Sequence, residues 1–223
     1  MFSLDTHDRI MREFAARAGA MVVGVDYALS PEAKFPYALE QIVDAVRALR
    51  EQASDFGLDA TRLAIGGDSA GANLSVATSL VLRDIGASTW LRGMLLIYGC
   101  YTPEISETAA NGFGAEGNLL TAAEMATFWV NYLERPDEAA SPLVAPMRAE
   151  LAGLQPAFLI GAQCDVLAEQ SVAFATKLRA AGVAVDLVEY AGATHSFLEA
   201  VSISELAERA IADGAAWLSK LLG

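Results

Sequence analysis

Cysteine is nearly absent. Cys100 and Cys164 are the only two in 223 residues, and a chain of that length builds a core without covalent staples, so a disulfide framework is not indicated. Neither thiol belongs to a CxxC pair. Histidine is equally scarce, at two residues, His7 and His195. Basic residues number 15 against 28 acidic ones, a net charge of -13. That charge repels phosphate backbones and anionic lipid, so neither nucleic acid nor a membrane surface is an expected partner. No apolar run approaches the roughly 18 to 20 residues that cross a bilayer, so the 54% of residues that are hydrophobic belong to a core. The opening residues MFSLDTHDRIMREF lack both a basic n-region and an apolar h-region and do not read as a secretory signal. A cytoplasmic location is the expectation. No internal repeat, low-complexity tract or long Pro/Gly/Ser linker divides the chain, and residues 1–223 are expected to form one domain.

What is present is an alternation of short β-branched runs with longer amphipathic segments, the pattern of βαβ units around a parallel sheet. Strands are predicted over 20–26, 62–66, 93–98, 157–161 and 183–190, with helical segments starting at Tyr37, Ala70, Ala122, Glu169 and Ser204. The last is the clearest, because Leu206, Ala210, Ile211, Trp217, Leu218 and Leu221 recur near a 3.6-residue period and should lie on the sheet. Near-continuous apolar strands such as Met94-Leu95-Leu96-Ile97 imply burial on both faces, which helices on either side of a parallel sheet provide. The fold class is therefore α/β. Residues 102–118, rich in Gly and Thr, read as a loop over one end of the sheet, and such loops often line substrate sites.

Gly67-Asp68-Ser69-Ala70-Gly71 matches G-x-S-x-G, directly after one predicted strand and directly before a predicted helix. In that setting a serine occupies a strained strand-to-helix turn that lifts its hydroxyl clear of the sheet. Small residues two positions to either side let strand and helix approach, and Gly67 and Gly71 meet that need. The Ala70 amide, at the helix N-terminus, is a candidate oxyanion donor. The competing account is a glycine-rich turn with an N-capping serine. A serine hydroxyl needs a base, most often a histidine held by a carboxylate. His195 follows the strand at 183–190 by a short loop, whereas His7 lies at a helix start, where a solvated first-turn role is expected. Asp165 ends the run from 157, again at the carboxyl end of a strand, where catalytic groups of open α/β sheets collect. Ser69, Asp165 and His195 thus make a candidate triad in the chain order of α/β-hydrolases. Gly67, Asp68, Tyr98 and Phe197, which border these positions, are candidate substrate contacts.

The chain resembles the hormone-sensitive-lipase-like group of α/β-hydrolases, and within it the bacterial acetyl esterases. The segment Ser3 to Arg9 resembles the stretch that follows the family's HGG, and Asp26-Tyr27-Ala28-Leu29-Ser30-Pro31-Glu32 is similar to D-Y-x-L-[AS]-P-E. Phe35-Pro36, Gly67 to Asn73, Ser141-Pro142-Leu143 and His195-Ser196-Phe197 extend the likeness over nearly the whole length. The resemblance implies an α/β-hydrolase fold and hydrolysis of short-chain, acetyl-type carboxylic esters through Ser69, Asp165 and His195. It implies a small-molecule ester as partner and neither metal nor organic cofactor. Val166 and Ser196 depart from the family's proline and glycine. The larger departure is that the cap segment and the strand ending in His-Gly-Gly-Gly have no counterpart here, so the chain looks like an N-terminally truncated member. That missing strand would lie between those at 20–26 and 62–66. Its absence predicts that these two pair directly, that another chain fills the gap, or that copies associate through open sheet edges as a homo-oligomer. It also leaves open a second function class, a scaffold that keeps the triad without a working oxyanion site.

Overall fold

Residues 3–223 are described by a computed structural model. Helix α1, Leu4–Ala18, starts at a reciprocal cap in which Ser3 and Thr6 each bond the other's backbone amide. Its buried side chains, Ile10, Phe14 and Ala18, recur every four residues and form one stripe. Helix α2, Tyr37–Glu51, follows. Then come strand β1, Leu63–Asp68, helix α3, Ala70–Asp84, and strand β2, Leu91–Ile97. A short helix α4, Glu107–Asn111, and helix α5, Ala122–Tyr132, precede strand β3, Ala157–Cys164, helix α6, Ala168–Ala180, strand β4, Val185–Thr194, and helix α7, Glu205–Leu222.

The four strands form one parallel sheet in the order β1-β2-β3-β4. Successive residues of β2 and β3 point to opposite faces, so an unbroken apolar run serves two cores. Met94, Leu96 and Leu159 pack with Val76, Leu80, Phe174 and Leu178 of α3 and α6. Leu95, Ile97, Phe158 and Ile160 pack with Ile10, Phe14, Ala210 and Ile211 of α1 and α7. Each such side chain taken fully out of water contributes about 1.5–3 kcal/mol before its entropy cost. The expected helix on the sheet is α7, and the α/β class stands. Among the described residues no helix is long and apolar enough to cross a membrane.

One predicted strand is not formed. Residues 20–26 run without regular structure, and Met21, Val22 and Val23 are 62%, 39% and 49% exposed. Their β-branched character is real, but a strand exists only where a neighbour completes its hydrogen bonds. Here β1 is the sheet's edge, and the direct pairing that would have closed the gap does not occur. Val25 and Tyr27 still turn inward, against the cluster around Leu39, Ile42 and Leu74. Beyond the bond from the Ala20 amide to the Ala15 carbonyl at 3.2 Å, the segment is held mainly by such side-chain packing.

Candidate active site

Ser69, Asp165 and His195 each stand one position beyond the last residue of a parallel strand, β1, β3 and β4 respectively. Because the strands are parallel, all three lie at the same edge of the sheet. The pairing Cys164↔Thr194 carries Asp165 and His195 forward side by side.

The turn at Ser69 is strained, with φ 51° and ψ −114°, a conformation that costs on the order of 1–3 kcal/mol for a residue with a Cβ. Several bonds impose it. The Ser69 amide donates to the Ile97 carbonyl at 2.8 Å, and its own carbonyl accepts from the Ala72 and Asn73 amides at 3.1 and 3.3 Å. Asn73, nearly fully buried in α3, donates through Nδ2 to the carbonyls of Cys100 at 2.8 Å and Val144 at 2.9 Å. Gly67 is required by contact: a Cβ there would lie 2.5 Å from the Gly71 carbonyl carbon. Gly71 is not, since a Cβ on it would meet nothing within 4 Å. The expectation that both glycines serve close packing therefore holds only for Gly67, because strand and helix approach each other at Gly71's backbone and not at its outward face.

The structure brings the three side chains into one hydrogen-bonded row. His195 Nε2 lies 3.0 Å from Ser69 Oγ, and His195 Nδ1 lies 2.7 Å from Asp165 Oδ2. Asp165 Oδ1 accepts from the Leu167 amide at 3.0 Å. A carboxylate only accepts, so Nδ1 carries the proton, Nε2 is the free base, and the serine hydroxyl donates to it. Asp165 and His195 are 4% and 8% exposed, while Ser69 is half-buried and Ala70 exposed. The row thus opens to solvent at its serine end, beside the Ala70 amide at the positive end of α3. Such a row can move the hydroxyl proton to the imidazole as the oxygen attacks an electrophile.

The remaining sequence candidates fall in two groups. Gly67 and Asp68 lie beneath the open mouth, half-buried. Tyr98 and Phe197 are inside the core, at 1% and 8% exposure. The Tyr98 ring packs on the His195 imidazole at 5.0 Å between centroids, and Phe197 lies between Tyr98 and Tyr190 at 6.0 and 5.7 Å. From there they brace the imidazole and are turned away from the exposed rim. Burial pushes the Tyr98 phenol well above its ordinary range, and the Asp68 carboxylate adds to the effect. Burial likewise raises the Cys100 thiol to about 12. Among the described residues no group of three His, Cys, Asp or Glu side chains could hold a metal ion.

Sequence reasoning missed three tethers. His7, read as a solvated helix-start residue, is only partly exposed and reaches Asp68 Oδ2 at 3.4 Å. Gln170 accepts from the Tyr101 and Thr102 amides at 2.7 and 3.1 Å, and donates to the carbonyls of Thr102 and Glu104 at 3.1 Å each. Asn73 carried a signal, as an amide within the otherwise apolar face of α3; Gln170 and His7 carried none. The loop expected over 102–118 contains α4, and its start helps to line a cavity of about 300 Å³ with Val166 and Gln170, to which none of Ser69, Ala70 or His195 contributes.

The fold has counterparts among known proteins. A family profile described as the alpha/beta hydrolase fold matches residues 1–199. The structure superimposes on EstE1, a thermophilic and thermostable carboxylesterase cloned from a metagenomic library, with a TM-score of 0.96 and 32% identity, over 100% of this chain and 76% of that one. A hyperthermophilic esterase from the archaeon Pyrobaculum calidifontis gives 0.95 and 35%, over 99% and 71%. A thermostable esterase from Pseudomonas putida ECU1011 gives 0.95 and 32%, over 100% and 70%.

Proposed function

Since this chain belongs to the family with the alpha/beta hydrolase fold, we propose that it is a serine carboxylesterase of the hormone-sensitive-lipase-like group, acting on short-chain, acetyl-type esters. The observation that carries the reading is the hydrogen-bonded row from Ser69 Oγ through His195 to Asp165, at 3.0 and 2.7 Å. The printed activities of similar proteins, carboxylesterase and esterase, support the reaction class.

In the proposed reaction Ser69 Oγ attacks the ester carbonyl while His195 Nε2 takes its proton, and the carbonyl oxygen becomes an oxyanion facing the Ala70 amide. The tetrahedral intermediate collapses as the imidazolium returns that proton to the leaving alkoxide, releasing the alcohol and leaving an acyl-serine. Water then attacks the acyl carbon, again giving a proton to His195, and the carboxylic acid departs as Ser69 recovers its hydrogen. Asp165 holds the Nδ1–H tautomer and stabilises the imidazolium throughout.

The test pairs stoichiometric labelling by an active-site phosphonate with a series of p-nitrophenyl esters from acetyl to decanoyl. Labelling at Ser69 and a kcat/KM that falls beyond butyryl are expected. A scaffold that binds esters without cleaving them would leave Ser69 unlabelled, and preference for the longest acyl chains would overturn the substrate class.

A further inference from the structure

His7 has no part in the reaction proposed above, yet both nitrogens of its ring face acceptors. Nδ1 lies 3.2 Å from the Ser3 carbonyl oxygen and 3.0 Å from Thr6 Oγ1, and Nε2 lies 3.4 Å from Asp68 Oδ2. The Asp68 carboxylate can only accept, so the ring must direct an Nε2–H at it. The Ser3 carbonyl already accepts from the Thr6 hydroxyl at 2.8 Å and from the His7 amide at 3.3 Å, and it can take a second ring proton on Nδ1 when the charge of Asp68 draws one onto the imidazole.

The place of Asp68 gives this contact its consequence. It is the last residue of β1 and the one before Ser69, whose strained backbone persists only if its surroundings over-determine it. On the inner side β2 does this, through the bond from the Ser69 amide to Ile97. On the outer side no strand among the described residues neighbours β1, and His7 reaches its end there.

We propose that His7 is a positioning residue: its imidazolium, bonded at once to the start of α1 and to Asp68, clamps that helix onto the nucleophile turn and keeps Ser69 Oγ aimed at His195. The aim of Ser69 rests on the esterase reading; the clamp itself does not.

The charges around the ring favour its cationic form. Asp68 faces it from β1, and Glu199 acts on it from the short turn Phe197–Ala200. On its own helix, Asp8 is paired with Arg12 and Arg9 with Glu13. From α7, the side of the helix that α1 packs against, Glu208 is engaged with Arg17, ten residues further along. The hydrogen bond to Asp68, opposed by burial and aided by the charges of Asp68 and Glu199 and by the Ser3 carbonyl, raises His7 from 6.5 to about 8. With the folded value raised, the clamp is complete below about 6.5 and is lost as pH rises through about 8.

With two histidines in the chain, imidazole NMR of the parent and of His7→Gln assigns each titration without further labelling. His7 is expected to titrate near 8, and Asp68→Asn to return it toward the ordinary 6.5. On a short ester at pH 7, His7→Gln should lower kcat roughly threefold to thirtyfold with little change in KM, as expected of a misaimed nucleophile. The parent should lose activity between pH 7 and 9.5. His7→Lys, whose ammonium stays charged to about 10, should keep its rate there. A His7 midpoint at or below 6.5, or one that ignores Asp68→Asn, overturns the clamp, as do superimposable pH profiles for parent, His7→Gln and His7→Lys. If no variant including the parent cleaves esters or takes up a phosphonate, the esterase reading fails alone, and the two NMR midpoints still decide the clamp. If His7→Gln unfolds, His195→Gln supplies the assignment by leaving His7 as the one histidine of the chain, and both midpoints are still read on chains that retain His7.

Discussion

Replacing Asp165 with asparagine changes one atom type in a buried site and should nearly abolish turnover. The carboxylate is enclosed, with one oxygen taken by the Leu167 amide at 3.0 Å and the other by His195 Nδ1 at 2.7 Å. In the variant the Leu167 N–H still demands an acceptor, which fixes the new carbonyl oxygen on that side and turns the NH2 group toward His195. Nδ1 must then accept, the imidazole proton moves to Nε2, and it points at Ser69 Oγ. The base has become a donor, although no distance in the row has changed. A tautomer reversed in this way lowers kcat by on the order of 10⁴, about 5.5 kcal/mol of transition-state stabilisation at roughly 1.4 kcal/mol per decade. Steady-state hydrolysis of a short chromogenic ester from pH 5 to 9, with the thermal midpoint as a control for folding, reads the effect. An Asp165→Asn enzyme within tenfold of the parent, at an unchanged midpoint, would refute both the tautomer argument and the place of Asp165 in the row.

Ser69→Ala should lower kcat by about 10⁴-fold or more, since such groups act as a unit, and circular dichroism should show the fold retained; hydrolysis at the parent rate would put the nucleophile elsewhere. Iodoacetamide at pH 8 should modify Cys164 and spare Cys100, which is buried with its thiol raised to about 12, so intact-mass measurement should find one adduct per folded chain and two after denaturation. Phe174→Ala removes a fully buried ring stacked on Tyr101 at 4.0 Å and should cost about 3–5 kcal/mol in urea unfolding; a loss under about 1 kcal/mol would mean that the cavity collapses or that the ring is not packed as described.

Where a stretch carried its own signal, the sequence was legible. The core-facing stripe of α7, the apolar run of β2 and the turn around Ser69 all follow from residues within a few positions of one another. The limits appear where partners are distant. β3 and β4 continue to Cys164 and Thr194, past the predicted ends at 161 and 190, because the pairs Ala162↔Tyr190 and Cys164↔Thr194 prolong the ladder after the apolar pattern stops. Residues 20–26 show the reverse case, a strand-like composition with no ladder to join. The row of Ser69, His195 and Asp165 was traceable because each follows a recognisable strand. His7 meets Asp68 across 61 positions, a contact that nothing in either neighbourhood announces, and the four bonds of Gln170 are equally silent.

The seating of α1 against α7 has a temporal side. The apolar stripe of Ile10, Phe14 and Ala18 shares its cluster with Ala207, Ala210, Ile211 and Ala215, so its main cover is the helix that follows every strand. On a ribosome adding about 5–20 residues per second, that stripe waits on the order of ten to forty seconds for residues 205–222 to be made. The earliest helix described is thus among the last to be seated. For that interval it is an amphipathic segment with its greasy side bare, open to chaperones and to other nascent chains. The brace inferred on the Ser69 turn arrives only once α7 has been made.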